Sequence, residues 1–172
     1  DNPKLGKGNG VAMKVAPIGA FLSSKKLKML SHDIWLSIKK LARLTHDTQM
    51  ATASAFIHIG TIIDCLTKKE INRNFASQVL LSLVDGFPVH RGDGISEDSL
   101  FYRFLELMRI VDIRLTTNQE IINTFGGGTC YVYNSLPFTY AFFFRNPTSI
   151  ETLYDVVNSG GDTDSNGSMC GA

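Results

Sequence analysis

The chain has 172 residues, 44% hydrophobic and 19% charged, which suits one globular domain with a buried core and excludes a disordered or fibrous chain. Seventeen basic against sixteen acidic residues leave a net charge of +1 with no basic block, so the clustered cationic face that nucleic acid requires is not expected. Cys65, Cys130 and Cys170 lack CxxC or Cys/His spacing, which argues against a disulfide framework or a zinc site and for a reducing, cytoplasmic setting.

In chain order, Asp1 to Asn9 is polar and Gly-rich, unlike a secretory signal. Gly8-Asn9-Gly10 then leads into the apolar stretch Val11 to Pro17. A Gly-rich turn at a helix start offers N–H groups to an anion such as a pyrophosphate, with Lys4 and Lys7 nearby; the plainer reading is an ordinary loop-to-helix junction. Helical periodicity follows over Asp33 to Leu44 (Ile34, Ile38, Leu41, Leu44) and over Gln49 to Leu66 (Met50, Ala53, Phe56, Ile57, Ile63, Leu66). His46, in Thr45-His46-Asp47 after the first of these, could meet a phosphate or ribose hydroxyl, or be a helix-end residue satisfied by backbone carbonyls. No apolar run reaches the roughly 18 residues of a membrane span, so no membrane partner is expected.

Thr67-x-x-Glu70 has the pattern of a capping box for a helix carrying Ile71, Phe75, Val79 and Leu83. Residues 87–95 read as a loop, and Ser96 can cap a helix with Leu100, Phe104, Leu105 and Met108. Two further boxes, Thr117-x-x-Glu120 and Thr148-x-x-Glu151, open a short helix closed by Gly126-Gly127-Gly128 and a helix with Ile150, Leu153, Tyr154 and Val157. Between them, Leu136 to Phe144 is apolar nearly all round, as in a buried helix, with Pro137 placed near its first turn. No alternating strand pairs occur, and the expected fold is all-α. Gly167 to Ala172 is small and apolar and reads as a helix cut short, so the chain is expected to be a fragment.

The strongest local signal is Gly160-Gly161-Asp162-Thr163-Asp164-Ser165. Two carboxylates two residues apart, followed by a hydroxyl, present hard oxygen donors of the kind Mg²⁺ and Mn²⁺ prefer, and the glycines let backbone approach an ion or a phosphate. The alternative is a solvated Asp-Gly loop that caps the next helix. Gly126-Gly127-Gly128-Thr129 could pass close to a ligand or form a simple helix C-cap with a turn.

In this order the motifs resemble the ADP-ribosyl-glycohydrolase family, which includes the dinitrogenase-reductase-activating glycohydrolases and a lens crystallin. The pattern Gly-Asn-Gly-x-Ala-Met-Arg-x-Ala-Pro is similar to Gly8 to Pro17, with Lys14 in place of Arg. A Thr-His pair at a helix end matches Thr45-His46. A Gly-rich turn before a Pro-led buried helix matches Gly126 to Pro137, and Gly-Gly-Asp-Thr-Asp-Thr matches Gly160 to Ser165 with Ser for Thr.

The resemblance implies an orthogonal all-α domain with a two-metal site, of which residues 1–172 form an incomplete, C-terminal portion. It implies that Asp162, Asp164 and Ser165 ligate Mg²⁺ or Mn²⁺, and that Gly8, Asn9, Gly10, His46, Gly128, Thr129 and Cys130 bind ADP-ribose. The implied activity is metal-dependent hydrolysis of the bond between ADP-ribose and a protein side chain or small acceptor. The family's Gly-Asp-x-x-Gly motif, catalytic acidic residue and Thr-Asp-Asp motif do not occur here, so the catalytic residues are expected in a missing N-terminal half. Without that partner the chain is expected to be inactive. The competing readings are a non-catalytic, crystallin-like or ADP-ribose-binding relative, and a generic helical interaction domain.

Overall fold

The computed structural model describes residues 6–25, 32–67, 100–110 and 113–172. The Ile71–Leu83 helix, Glu70 of the first capping box, loop 87–95 and the Ser96 cap lie outside these residues. Among the described residues the fold is all-α, with eight α-helices and no strand. They are α1 (Ala16–Ser24), α2 (His32–Arg43), α3 (Gln49–Thr67), α4 (Leu100–Arg109), α5 (Asn118–Phe125), α6 (Val132–Arg145), α7 (Glu151–Asn158) and α8 (Thr163–Cys170). One isolated antiparallel bridge joins Gly8 to Tyr131.

Two helices organise the interior. Residues 54–63 of α3 are buried without interruption, because small Ala51 and Ala55 admit close neighbours on one side while Phe56, Ile57 and Ile59 fill the space on the others. Phe56 and Ile59 join Val15, Leu22 and Ile38 in one core cluster, and Ile57 joins the α6 residues Leu136, Phe138 and Phe142 in the other. By length and composition α3 could cross a membrane, contrary to expectation, but 67% of that window is buried inside the protein, as in a core helix. The nearly all-apolar helix expected around Leu136 is α6, although it begins four residues earlier, at Val132. Pro137 therefore lies in the helix interior instead of the first turn, where it has no N–H to donate to residue 133.

Close backbone approach matters most between α1 and α3. A Cβ added to Gly19 would lie 2.8 Å from Ile62 Cγ2 and 3.3 Å from the Ile59 carbonyl. Gly19→Ala is therefore expected to force the two helices apart at about 1–3 kcal/mol, even though alanine favours an isolated helix. Urea unfolding of the variant checks this, and an unchanged midpoint would contradict the packing.

The helix ends show which caps operate. The Thr117 hydroxyl accepts the Glu120 N–H at 3.2 Å, and Glu120 accepts the Thr117 N–H at 2.7 Å, forming the expected box. That hydrogen bonding holds the Glu120 carboxyl below its usual range. Gly126 closes α5 in the left-handed conformation, with φ of 76°. The Thr148 box does not form: α7 starts at Glu151, whose N–H is accepted by the Ser149 hydroxyl at 3.2 Å. The stripe expected on α7 also turns out differently, since the core face is Thr152 and Val156 while Ile150, Tyr154 and Val157 are exposed. Thr152 can be buried because its hydroxyl donates to the Asn146 carbonyl. On α2 the buried residues are Ile38 and Ala42, with Leu44 exposed past the helix end.

Candidate active site

The site forms where the two ends of the described chain meet. Gly8 pairs with Tyr131, the Asn9 N–H donates to the Cys130 carbonyl at 2.9 Å, and the Val132 N–H donates to the Lys7 carbonyl at 2.9 Å. These contacts pin the Gly8–Gly10 turn against the start of α6. The turn does not lead straight into a helix as expected: a 3-10 turn at Ala12–Lys14 intervenes, and α1 begins only at Ala16. A helix N-terminus therefore does not supply the anion-binding feature at Gly8–Gly10, and any such role falls to the turn's own amides.

His46, at the end of the segment after α2, lies against this turn. A Cβ built on Gly8 would approach its Nε2 at 3.1 Å, and one on Gly10 its Cε1 at 3.1 Å. A side chain at either position would thus crowd the imidazole and require it to shift by a few tenths of an ångström. His46 Nδ1 and the Thr45 hydroxyl are hydrogen-bonded at 2.9 Å, which sets the ring's orientation.

The acidic turn approaches from the other side. Gly160 and Gly161 have φ of 82° and 79°, the left-handed region that favours glycine. A side chain at Gly161 would also collide with the Gly128 carbonyl. That carbonyl accepts the Asp162 N–H at 2.6 Å and the Asn166 side-chain amide at 2.7 Å. Gly128 itself has no room for a Cβ, which would strike Asn166 and the Phe138 ring. Its visible role is thus to lock the acidic turn, and its carbonyl is engaged in doing so. Asn166 was not singled out from sequence. The available signal is a lone amide one residue beyond the acidic motif, and in the fold it is fully buried with Thr139 3.4 Å away.

The two turns meet through one hydrogen bond: Asn9 Nδ2 donates to Asp162 Oδ2 at 2.7 Å. The structure therefore brings together Gly8, Asn9, Gly10, His46, Cys130, Gly128 and Asp162, which the sequence spreads over more than 150 positions. Thr129 and the Cys130 side chain are exposed beside them. Asp164 is exposed one step along α8; N–H groups of Ser165 and of Asp164 itself, with the Asp162 side chain, hold its carboxyl below the usual range. Ser165 is buried, and its hydroxyl donates to Met13 Sδ at 3.3 Å. A thioether is a weak acceptor, so that contact is easily exchanged for a stronger one.

Asp162 and Asp164, with the Ser165 hydroxyl behind them, are donors that suit Mg²⁺ or Mn²⁺. Among the described residues no third His, Cys, Asp or Glu completes a cluster with them. The set would fit one side of a divalent-cation site, whose remaining ligands would have to come from water, substrate or other residues. Beyond Asp164 an open groove of about 460 Å³ runs between α7 and α8, lined by Leu153, Tyr154, Val157, Asn158 and Gly167.

The ADP-ribosylglycohydrolase family profile matches residues 2–172. The chain belongs to this family, which supports a glycohydrolase activity at the level of the class, and its all-α fold agrees. A search among curated proteins returned no match.

Proposed function

We propose that this chain forms the ADP-ribose-binding and part of the metal-binding surface of an enzyme that hydrolyses the N- or O-glycosidic bond between ADP-ribose and a protein side chain or small acceptor. The observation that carries this is the hydrogen bond between Asn9 and Asp162, which sets a glycine turn suited to a diphosphate beside a carboxylate pair suited to a divalent cation.

The Gly8 and Gly10 amides would hold the diphosphate, since the Asn9 N–H is engaged with Cys130. His46 would contact the same group from above the turn, and the Gly128–Cys130 segment would border the adenine. Binding energy from this remote end fixes the ribose at the reaction centre. Asp162, Asp164 and Ser165 would hold Mg²⁺ or Mn²⁺, which when bound orients ribose hydroxyls and activates water. Cleavage develops positive charge at the anomeric carbon, which the negative charge of the two carboxylates would help to offset. The general acid or base would come from a group outside these site residues.

The test is turnover by the intact protein on a peptide carrying ADP-ribosylated arginine or serine. Activity should vanish with a chelator and return with Mg²⁺ or Mn²⁺; turnover indifferent to the chelator overturns the metal-dependent reading. A second reading, an ADP-ribose-binding relative without catalysis, is favoured by the lack of a third metal-ligating side chain among the described residues. It predicts ADP-ribose binding with no turnover under any metal.

A further inference from the structure

We propose that Asn9 is a positioning residue for Asp162 and that its side chain does not touch the ADP-ribose. The inference rests on the reading of Asp162 as a cation ligand. A glycine-flanked amide in a ligand-binding turn would ordinarily be assigned to the ligand. The geometry assigns it elsewhere.

Asn9 is 4% exposed, and its backbone N–H, backbone carbonyl and side-chain amide nitrogen are each engaged within the protein. Its N–H donates to the Cys130 carbonyl at 2.9 Å, its carbonyl accepts the Met13 N–H at 3.1 Å, and its side-chain amide donates to Asp162 Oδ2 at 2.7 Å. Asp162 is held from the other directions as well. Its N–H donates to the Gly128 carbonyl at 2.6 Å, and its carbonyl accepts the Asn166 N–H at 2.9 Å. The backbone of Asp162 is thereby fixed, and the bond from Asn9 restrains rotation of the carboxylate, which also lies beside Asp164. The bond from Asn9 engages Oδ2 and leaves Oδ1 as the oxygen that would serve as a single-oxygen ligand. Partners of this kind behind a metal ligand typically contribute about 10–100-fold in affinity. Gly8 and Gly10 on either side of Asn9 lie close under the His46 ring.

The test is Mn²⁺ binding to the intact protein, followed by electron paramagnetic resonance without ADP-ribose. Asn9→Ala, and Asn9→Leu, which keeps the buried volume but removes the donor, should each weaken Mn²⁺ about 10–100-fold. Affinity for ADP-ribose without metal should change less than twofold. A wild-type measurement covers variants that fail to fold: the Asn9 side-chain amide resonances should shift on adding Mg²⁺ alone and stay put on adding ADP-ribose alone. Unchanged Mn²⁺ affinity in a folded Asn9 variant, or resonances that respond to ADP-ribose and not to Mg²⁺, overturns the positioning role. The Asp162→Ala variant separates the two claims. If it loses Mn²⁺ while Asn9→Ala retains it, only the positioning role fails. If it retains Mn²⁺, the ligand assignment itself fails.

Discussion

Asp162→Ala in the intact protein is expected to lower kcat/KM by more than about 100-fold, because loss of a ligand should exceed the 10–100-fold typical of the residues that only orient one. The argument is geometric. Asp162 is the residue at which the two halves of the site converge, since its backbone is tied to Gly128 and Asn166 and its side chain to Asn9. Alanine keeps the backbone ties, so the fold should persist and the melting temperature should fall by only a few degrees. The defect should be in turnover, with binding of ADP-ribose in the absence of metal largely retained. Steady-state kinetics alongside calorimetric titration distinguishes these quantities. A variant with wild-type kcat/KM removes Asp162 from the metal site, and one that loses its cooperative melt shows a structural role instead.

The second large effect is on stability, and it comes from the core. His58 lies in the middle of α3 at 3% exposure, hydrogen-bonded through Nδ1 to the Tyr140 hydroxyl at 3.1 Å, while its Nε2 has no partner. Burial lowers its pKa from 6.5 to about 4, and burial likewise pushes the Tyr140 phenol well above its usual range. The folded state thus holds His58 neutral where the unfolded chain would protonate it. Stability is fully present above pH 6.5 and is lost as pH falls, until below about pH 4 both states carry the proton. The cost across this window is about 3 kcal/mol, from 1.36 kcal/mol per unit. Carboxylates titrate over the same range, so the useful quantity is a difference. Urea unfolding of wild type and His58→Gln at pH 7.5 and 4.5 should show a smaller acid loss in the variant, which keeps a hydrogen-bonding group toward Tyr140. Equal losses would mean that His58 is protonated at little cost in the folded state.

Much of the fold was legible because its signals act over three or four residues. The periodicity at Gln49–Leu66, the box at Thr117–Glu120 and the glycine stop after Phe125 need only the local chain, and each appears in the structure. Where a local signal competed with tertiary packing, packing prevailed. Thr148 does not cap α7, and the helix turns Thr152 and Val156 inward because the Asn146 carbonyl is available to Thr152. Pro137 sits inside α6 because the apolar face of that helix begins at Val132, and burial of residues 135–142 around it holds the helix together across the missing N–H.

The candidate site divides in the same way. The sequence by itself determined the donor types: glycines that permit backbone approach at Gly8–Gly10 and Gly160–Gly161, and the carboxylates of Asp162 and Asp164 with the adjacent hydroxyl. It also carried enough of the family's pattern to name the family that the profile match shows. Only the tertiary structure decided what each donor faces. The Asn9 amide meets Asp162 across 153 positions, the Ser165 hydroxyl turns to Met13, and the Gly128 carbonyl is engaged by Asp162 and Asn166. No periodicity encodes such pairings. They follow from how closely α6 and α8 approach, and that distance is set by the absence of a side chain at Gly128 and Gly161.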